Sequence, residues 1–370
     1  MSEKKSPLKK SGGANPGLIS ILSSLISVFI GLLFGFLLLL VLNPAKAPAG
    51  MANMLTNGFR AIGNVLYTAT PLIMVGLAVA FAFKVGLFNI GASGQYTIGA
   101  LIALFLAIEL QLPWYLCLLG AILGGAIWGF FPGLFKAVFN VNEVITSIMM
   151  NWIGMNLTNF IVSNRTQMLA AAWGASSKDR TAALGTANPG AVIPKMGLND
   201  LFNYSTLNAG LVIAVVVAVI IWVILTKTTF GYELRACGLN KNGSIYAGIN
   251  AKRNIVLSMV IAGALAGLGG GLYYLAGGAQ YTIEQKILST GFDGISVALL
   301  ANSNPIGCIV SAIFIAFLRL GGIAMQSQGY ATEATDIVMA VIIYLAAVSL
   351  IIRLKLTKLM NRGREVEKVR

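Results

Sequence analysis

The sequence predicts an all-α, polytopic membrane protein, and three observations carry that prediction. Of 370 residues, 57 % are hydrophobic and only 10 % charged, where a soluble domain carries about 25 % charged residues. The apolar material is gathered in blocks, several of them longer than the ~18–20 residues that take a helix across ~30 Å of hydrocarbon. Inside lipid every backbone N–H and C=O must be satisfied within the protein, which leaves helices or a closed barrel, and long unbroken apolar runs select helices.

The elements follow in order. A Lys-rich segment over 1–16 leads into a first span near 17–42. That run is too long for the apolar region of a signal peptide and no A-x-A site closes it, so it is read as a retained span. Further spans are expected near 59–83, 87–108, 114–135 and 144–162. A polar segment over 163–207 separates these from spans near 208–226, 254–276 and 334–352, and a basic tail occupies 353–370. Residues 287–323 form one more apolar stretch, interrupted by Asn302, Ser303, Asn304 and Pro305. Proline behind a polar triplet breaks a helix, so this stretch reads as a broken or re-entrant pair beside about eight full spans.

Charge then orients the spans. Most of the 26 basic residues fall in the N-terminal segment (Lys4, Lys5, Lys9, Lys10), the 227–253 connection (among them Lys227, Arg235 and Lys241) and the tail. Basic residues collect on the cytoplasmic side, which places both termini and the 227–253 connection there and 163–207 outside. Parity closes only if 287–323 starts and ends near the outer face. The net charge of +14 is therefore read as a topology signal, and no nucleic-acid partner is expected.

Composition excludes several chemistries. The chain has no histidine, which removes His-based acid/base catalysis and His-containing metal sites. The three cysteines have no CxxC spacing and read as buried thiols. No GxxxxGK[ST] stretch occurs, so the chain is not expected to hydrolyse nucleotides itself. No metal, cofactor or catalytic residue is assigned. Glycines crowd the spans, as at Gly263, Gly267 and Gly269 to Gly271; they serve close helix packing or, alternatively, sliding during a transport cycle.

Polar residues near span ends are the candidates for function. Asn89, Ser93 and Gln95 lie among glycines at a membrane edge, either in a simple turn or facing a water-filled pathway. Glu143, Ser147 and Asn151 recur at i, i+4 and i+8 and share one helical face. Asn142 capping a helix, with Glu143 at its positive end, is one reading of that segment, and a pathway lining is the other. Asp293 either caps a short helix or belongs to an outer gate. No row of intramembrane carboxylates suggests an ion-coupled pump. The 227–253 connection is long for an inner loop and carries helix-forming stretches bounded by Gly238 and Gly248; it reads as an interfacial helix between glycine hinges or as a solvated basic loop.

Four segments, FNIGASGQ (88–95), NEVITSIMMNWI (142–153), ELRACGLNKNGSIYAGIN (233–250) and GFDGISVALLANSNPIG (291–307), resemble, in this order, the permease subunits of ATP-binding-cassette (ABC) importers for nucleosides, simple sugars and branched-chain amino acids. With LRLGGIAMQSQG (318–329), the resemblance is nearest to nucleoside permeases that work with an external binding lipoprotein. It covers roughly residues 55–350 and implies a type II importer-like fold, two permease subunits enclosing a central pathway; Asn89, Ser93, Gln95, Ser147, Asn151 and Asp293 are the residues expected to line it, because polar groups at such depth need a partner or water. The resemblance also implies that Arg235, Gly238, Asn240, Tyr246, Ala247, Gly248 and Ile249 couple to a cytoplasmic ABC ATPase subunit. A second homologous permease, an external substrate-binding lipoprotein and the lipid bilayer of a bacterial plasma membrane complete the implied partners. The family often has Glu where Ser93 stands and Ala near Gly243, and glycine costs about 1 kcal/mol of helix propensity, so the coupling helix is expected to be shorter or to start later. A simple-sugar permease is the alternative within the class, and an ion-coupled secondary transporter the alternative outside it.

Overall fold

The computed structural model describes residues 16–202 and 205–347. The Lys4–Lys10 cluster, the end of the span expected at 334–352 and the basic tail fall outside the described residues. The helices are α1 (Pro16–Leu42), α2 (Ala47–Arg60), α3 (Ile62–Phe83), α4 (Ala92–Ile108), α5 (Trp114–Phe139), α6 (Glu143–Asn164), α7 (Leu184–Ala187), α8 (Leu198–Leu201), α9 (Gly210–Lys227), α10 (Thr229–Leu239), α11 (Lys241–Tyr246), α12 (Ala251–Tyr274), α13 (Thr290–Leu300), α14 (Pro305–Met325) and α15 (Thr332–Ala347). Among the described residues there are no strands, only two isolated β-bridges. Helices α3, α5, α9, α12 and α14 are each long and apolar enough to cross a membrane, and the all-α, multi-pass architecture stands.

Two expected boundaries move. The span expected at 87–108 begins at Ala92, because Leu87 to Gly91 form a buried turn. Residues 47–60, of which only 59 and 60 fell within an expected span, form α2, and the span expected at 59–83 begins at Ile62. The break in 287–323 falls where expected, and the backbone shows why. Asn302 and Ser303 adopt the left-handed conformation (φ 50° and 53°), which ends α13. The Asn304 side chain then accepts from the Ile306 and Gly307 amides (3.0 and 3.4 Å), and Pro305 takes the first helical position, where its missing N–H costs nothing.

The chain divides into two compact units. In the larger, Ala52–Ser327, α3 is the innermost helix, with every residue from Ala69 to Ala82 buried. Helix α12 packs against α3, α4 and α5. Its contact with α5 is backbone against backbone: a Cβ at Gly125 would lie 2.2 Å from the Gly263 carbonyl oxygen, and one at Gly263 equally close to that of Gly125. The glycine stripe is therefore a packing seam, which supplies close contact where lipid offers no hydrophobic drive. On α5 Leu119, Leu123 and Ile127 form an exposed apolar stripe. In the smaller unit, made from both ends of the chain, α1 packs on α15. Gly31 and Gly35 admit Ile342, and the Tyr330 hydroxyl donates to the Asn43 carbonyl (3.2 Å).

Candidate functional site

The turn between α3 and α4 reverses at Gly86 (φ 79°) and delivers the start of α4 to the flank of α6. Gly91 offers this helix no side-chain cap, so its first amides need partners from elsewhere. Asn151 of α6 provides one: its Oδ1 accepts from the Gly94 amide (2.8 Å) while its Nδ2 donates to the Ile90 carbonyl (3.0 Å). Asn89 and Gln95 close a reciprocal amide pair at 2.9 and 3.3 Å. The hydroxyls of Ser93 and Ser147 sit beside them, buried and without hydrogen-bond partners. A Cβ at Gly291 of α13 would collide with the Ser93 hydroxyl, so a third helix closes over the group.

Asn89, Ser93, Gln95, Ser147 and Asn151, expected to line a pathway, are thus brought together, but none is more than 1 % exposed. They are spent largely on one another and on backbone rather than on an open pathway. Asn142 caps α6 through the Val144 amide (2.8 Å), and Glu143 pairs with Lys136 at 2.9 Å, so the capping reading holds at that end.

Asp293 follows Gly291 by two residues, in the same first turn of α13. Its carboxylate pairs with Arg319 of α14, whose Nη2 also donates to Ser289 Oγ (2.9 Å) at the head of α13. The head of α13 and the later part of α14 therefore lie side by side. Asp293 stands in the first turn of α13 rather than at its cap position, which Ser289 occupies without a side-chain capping bond. Arg319 was not singled out beforehand, although a lone guanidinium in the apolar run 305–325 needs a partner and was a usable signal.

The 227–253 connection folds as two helices punctuated by three side-chain caps. Thr228 accepts from the Gly231 amide (3.1 Å), Asn240 from Gly243 (2.9 Å) and Asn250 from Arg253 (3.0 Å). The hinge expected at Gly238 is displaced to Asn240, whose extended backbone separates α10 from α11. Gly238 instead lies in the last turn of α10, where a Cβ would stand 2.3 Å from the Lys84 carbonyl oxygen; close approach to the α3–α4 turn is what it provides. The hinge at Gly248 is as expected, with φ 83°. Helix α11 has six residues, short as its glycine suggested.

This connection exposes apolar surface. Leu239 and Tyr246 are 89 % and 93 % exposed. Between α10 and α11 lies a groove of about 480 Å³, lined by Tyr232, Glu233, Asn240, Ala247 and Ile249 among others. Arg235 folds back onto its own helix, donating to the Gly231 carbonyl at 3.2 Å. Asn254 of α12 anchors the assembly by donating to the Glu233 carboxylate (3.1 Å). Burial holds the Lys84 ammonium below the ordinary lysine pKa.

A glycine-seamed helical bundle with a capped, partly apolar connection at one end is the build of a membrane transport subunit. Residues 61–347 match the model of the permease component of the branched-chain amino acid transport system, and the chain belongs to that family. It is 37 % identical to the guanosine ABC transporter permease protein NupP of Bacillus subtilis, across 93 % of this chain and 97 % of that one. It is 38 % identical to the nucleoside ABC transporter permease protein NupB of Lactococcus lactis, across 91 % and 93 %. The glucose ABC transporter permease protein TsgB13 of Haloferax volcanii shares 31 % identity across 86 % and 84 %. No solved structure matches. The chain is an ABC permease subunit and a multi-pass membrane protein, and it is not an enzyme: ATP hydrolysis belongs to separate ATPase subunits.

Proposed function

We propose that this chain is the transmembrane permease subunit of an ABC importer for nucleosides delivered by an external binding lipoprotein. The observation that carries this reading is end-to-end similarity to two permeases named for guanosine and nucleosides, at 37 % and 38 % identity. Glucose remains the second substrate class, on the strength of the 31 % match. A second homologous permease completes the pathway, in a bacterial plasma membrane with both termini cytoplasmic.

In this reading Arg235, Gly238, Asn240, Tyr246, Ala247, Gly248 and Ile249 form the coupling element. Closure of two ATPase domains moves α10 and α11, and Gly238 against the Lys84 carbonyl transmits that displacement to the α3–α4 turn. The turn is locked to α6 through Asn151, so the Asn89–Gln95 group travels with it and bounds the pathway as a rigid wall. Asp293, tied to Arg319, belongs to the outer gate in this reading.

Uptake tests the reading. Proteoliposomes holding this permease, its partner permease, the ATPase and the lipoprotein should take up guanosine only with ATP, and unlabelled glucose should not compete. Competition by glucose would shift the assignment to sugars. Orientation has its own test: Cys117, Cys237 and Cys308 are buried, so an impermeant thiol reagent should label Lys178→Cys from outside and Lys241→Cys only from the cytoplasm. Labelling with the sides exchanged overturns the topology.

A further inference from the structure

Beyond α12 the chain does not enter the next helix for 15 residues; it crosses the end of the bundle as residues 275–289 and is stitched to the 163–207 segment. Thr181 is the stitch. Its amide donates to the Tyr281 carbonyl (2.9 Å), its hydroxyl accepts from the Tyr281 amide (3.0 Å), and its carbonyl accepts from Gln280 Nε2 (2.8 Å). From α6, Asn159 accepts from the Tyr281 hydroxyl and donates to the Glu284 carbonyl, both at 2.8 Å. The crossing segment is thereby held on two sides.

Under it lies a cavity of about 290 Å³ lined by Tyr273, Tyr274, Gln280, Tyr281, Glu284 and Lys286 among others. Its size sits near the ~300 Å³ lower end of small-molecule sites. The aromatic wall is pre-ordered: Tyr273 stacks on Tyr67 (5.7 Å, 18°), Tyr274 stands edge-on to Tyr273 (5.1 Å) and Tyr281 edge-on to Tyr274 (6.1 Å). The rim is charged. Glu284 and Lys286 are both exposed, and among the described residues neither is in an ion pair. A cluster serving only to pack would close on itself; this one opens a half-buried tyrosine and two unspent opposite charges onto the same small space.

We propose that this cavity is a reception site for a nucleoside in the permease itself, at the end where the 163–207 segment caps the bundle. The base lies against the Tyr273 wall, since stacking on an aromatic face is available to any base. Glu284 accepts from base N–H or ribose hydroxyl groups, and Lys286 donates to a base carbonyl. The inference rests on the nucleoside reading and adds a place where the substrate is held after release to the permease.

Photolabelling of the assembled transporter with 8-azidoguanosine tests it. The label should map to the 273–289 peptide of this chain, be displaced by guanosine and not by glucose, and fall about tenfold in Tyr273→Leu, the size of one lost base stack. Should Tyr273→Leu fail to assemble, Glu284→Gln and Lys286→Gln decide, because both side chains are exposed and carry no fold contact through their charges; each should lower labelling severalfold while labelling of the lipoprotein stays constant. Label confined to other peptides, or unchanged in the charge variants, overturns the site. A wild-type complex that imports no nucleoside defeats the functional reading instead, whereas import with no label at 273–289 defeats this site alone.

Discussion

Asn151 and Tyr246 belong to neighbouring parts of the molecule, joined through the Lys84–Gly238 contact, yet they stand 1 % and 93 % exposed. Around Asn151 the side-chain amides of Asn89, Gln95 and Asn151 are matched inside the chain, while among the described residues the buried hydroxyls of Ser93 and Ser147 are unmatched. Around Tyr246 the reverse holds: Leu239, Ile245 and Tyr246 leave apolar surface exposed next to a groove that none of the described residues fills. A buried polar group that is satisfied contributes to the fold, while an exposed large apolar group on a loop contributes when a partner covers it. The same physical test separates a structural network from an interface, although both carry family motifs.

The comparison is broken most directly at Asn151. Replacing it with Leu leaves the Gly94 amide and the Ile90 carbonyl buried and unmatched, at about 1–3 kcal/mol each. Asn151→Leu should therefore lower the melting temperature of the purified permease and its yield in the membrane, with transport falling in proportion to folded protein. A variant with wild-type melting temperature and no transport would return Asn151 to the pathway itself and sink the structural reading.

Next in size is the exposed side. Tyr246→Ala removes a side chain with almost no contact in this chain, so the melting temperature of the isolated permease should not move. If the ring docks in an ATPase cleft, its loss costs about 2 kcal/mol of association, and pull-down of the ATPase together with substrate-stimulated hydrolysis should drop severalfold. Ile249→Ala should show a smaller effect, because Ile249 is only half-exposed and already lines the groove. Normal pull-down and stimulation in both variants would make the connection a solvated loop.

How much of this was legible beforehand follows from where each signal is stored. The break at Asn302 to Pro305 was readable because proline and capping act within a few residues. The face shared by Ser147 and Asn151 was readable because helical period is local. Helix α2 was not, since its Gly-, Ala- and Asn-containing sequence has neither a strong apolar run nor a clear cap. The buried turn at 87–91 was absorbed into a span because Leu87, Phe88 and Ile90 are apolar whether a chain turns or crosses. Arg319, Asn254 and Thr181 act on residues 26, 21 and 100 positions away, and no local pattern announces such partners. Gly238 was taken for a hinge because glycine loosens a chain, while its use here is room for the Lys84 carbonyl.

Asn240 sharpens the comparison at intermediate size. It is exposed like Tyr246 but satisfies backbone like Asn151, accepting from the Gly243 amide. Asn240→Ala removes that cap at about 1 kcal/mol, which frays α11 without touching the bundle. Hydrogen exchange of the 241–247 amides should quicken severalfold while exchange in α12 stays unchanged, and coupling should weaken less than in Tyr246→Ala. Unaltered exchange would mean that the short helix is held by its C-terminal turn at Gly248 rather than by its cap.

Gly243→Ala should give the smallest effect and the opposite sign. Alanine is worth about 1 kcal/mol over glycine inside a helix, and Gly243 has no left-handed backbone to protect. Against this, the new Cβ would stand 3.2 Å from Asn240 Cγ, tight enough that the capping side chain must give by a few tenths of an ångström. That side chain is exposed and free to shift, so propensity should win by a fraction of the full difference. Slower exchange of the 241–247 amides, by about twofold, with transport unchanged, is the expected outcome. Faster exchange would show that the cap geometry governs α11 more than its helix propensity does, and the Asn240→Ala effect should then be correspondingly larger.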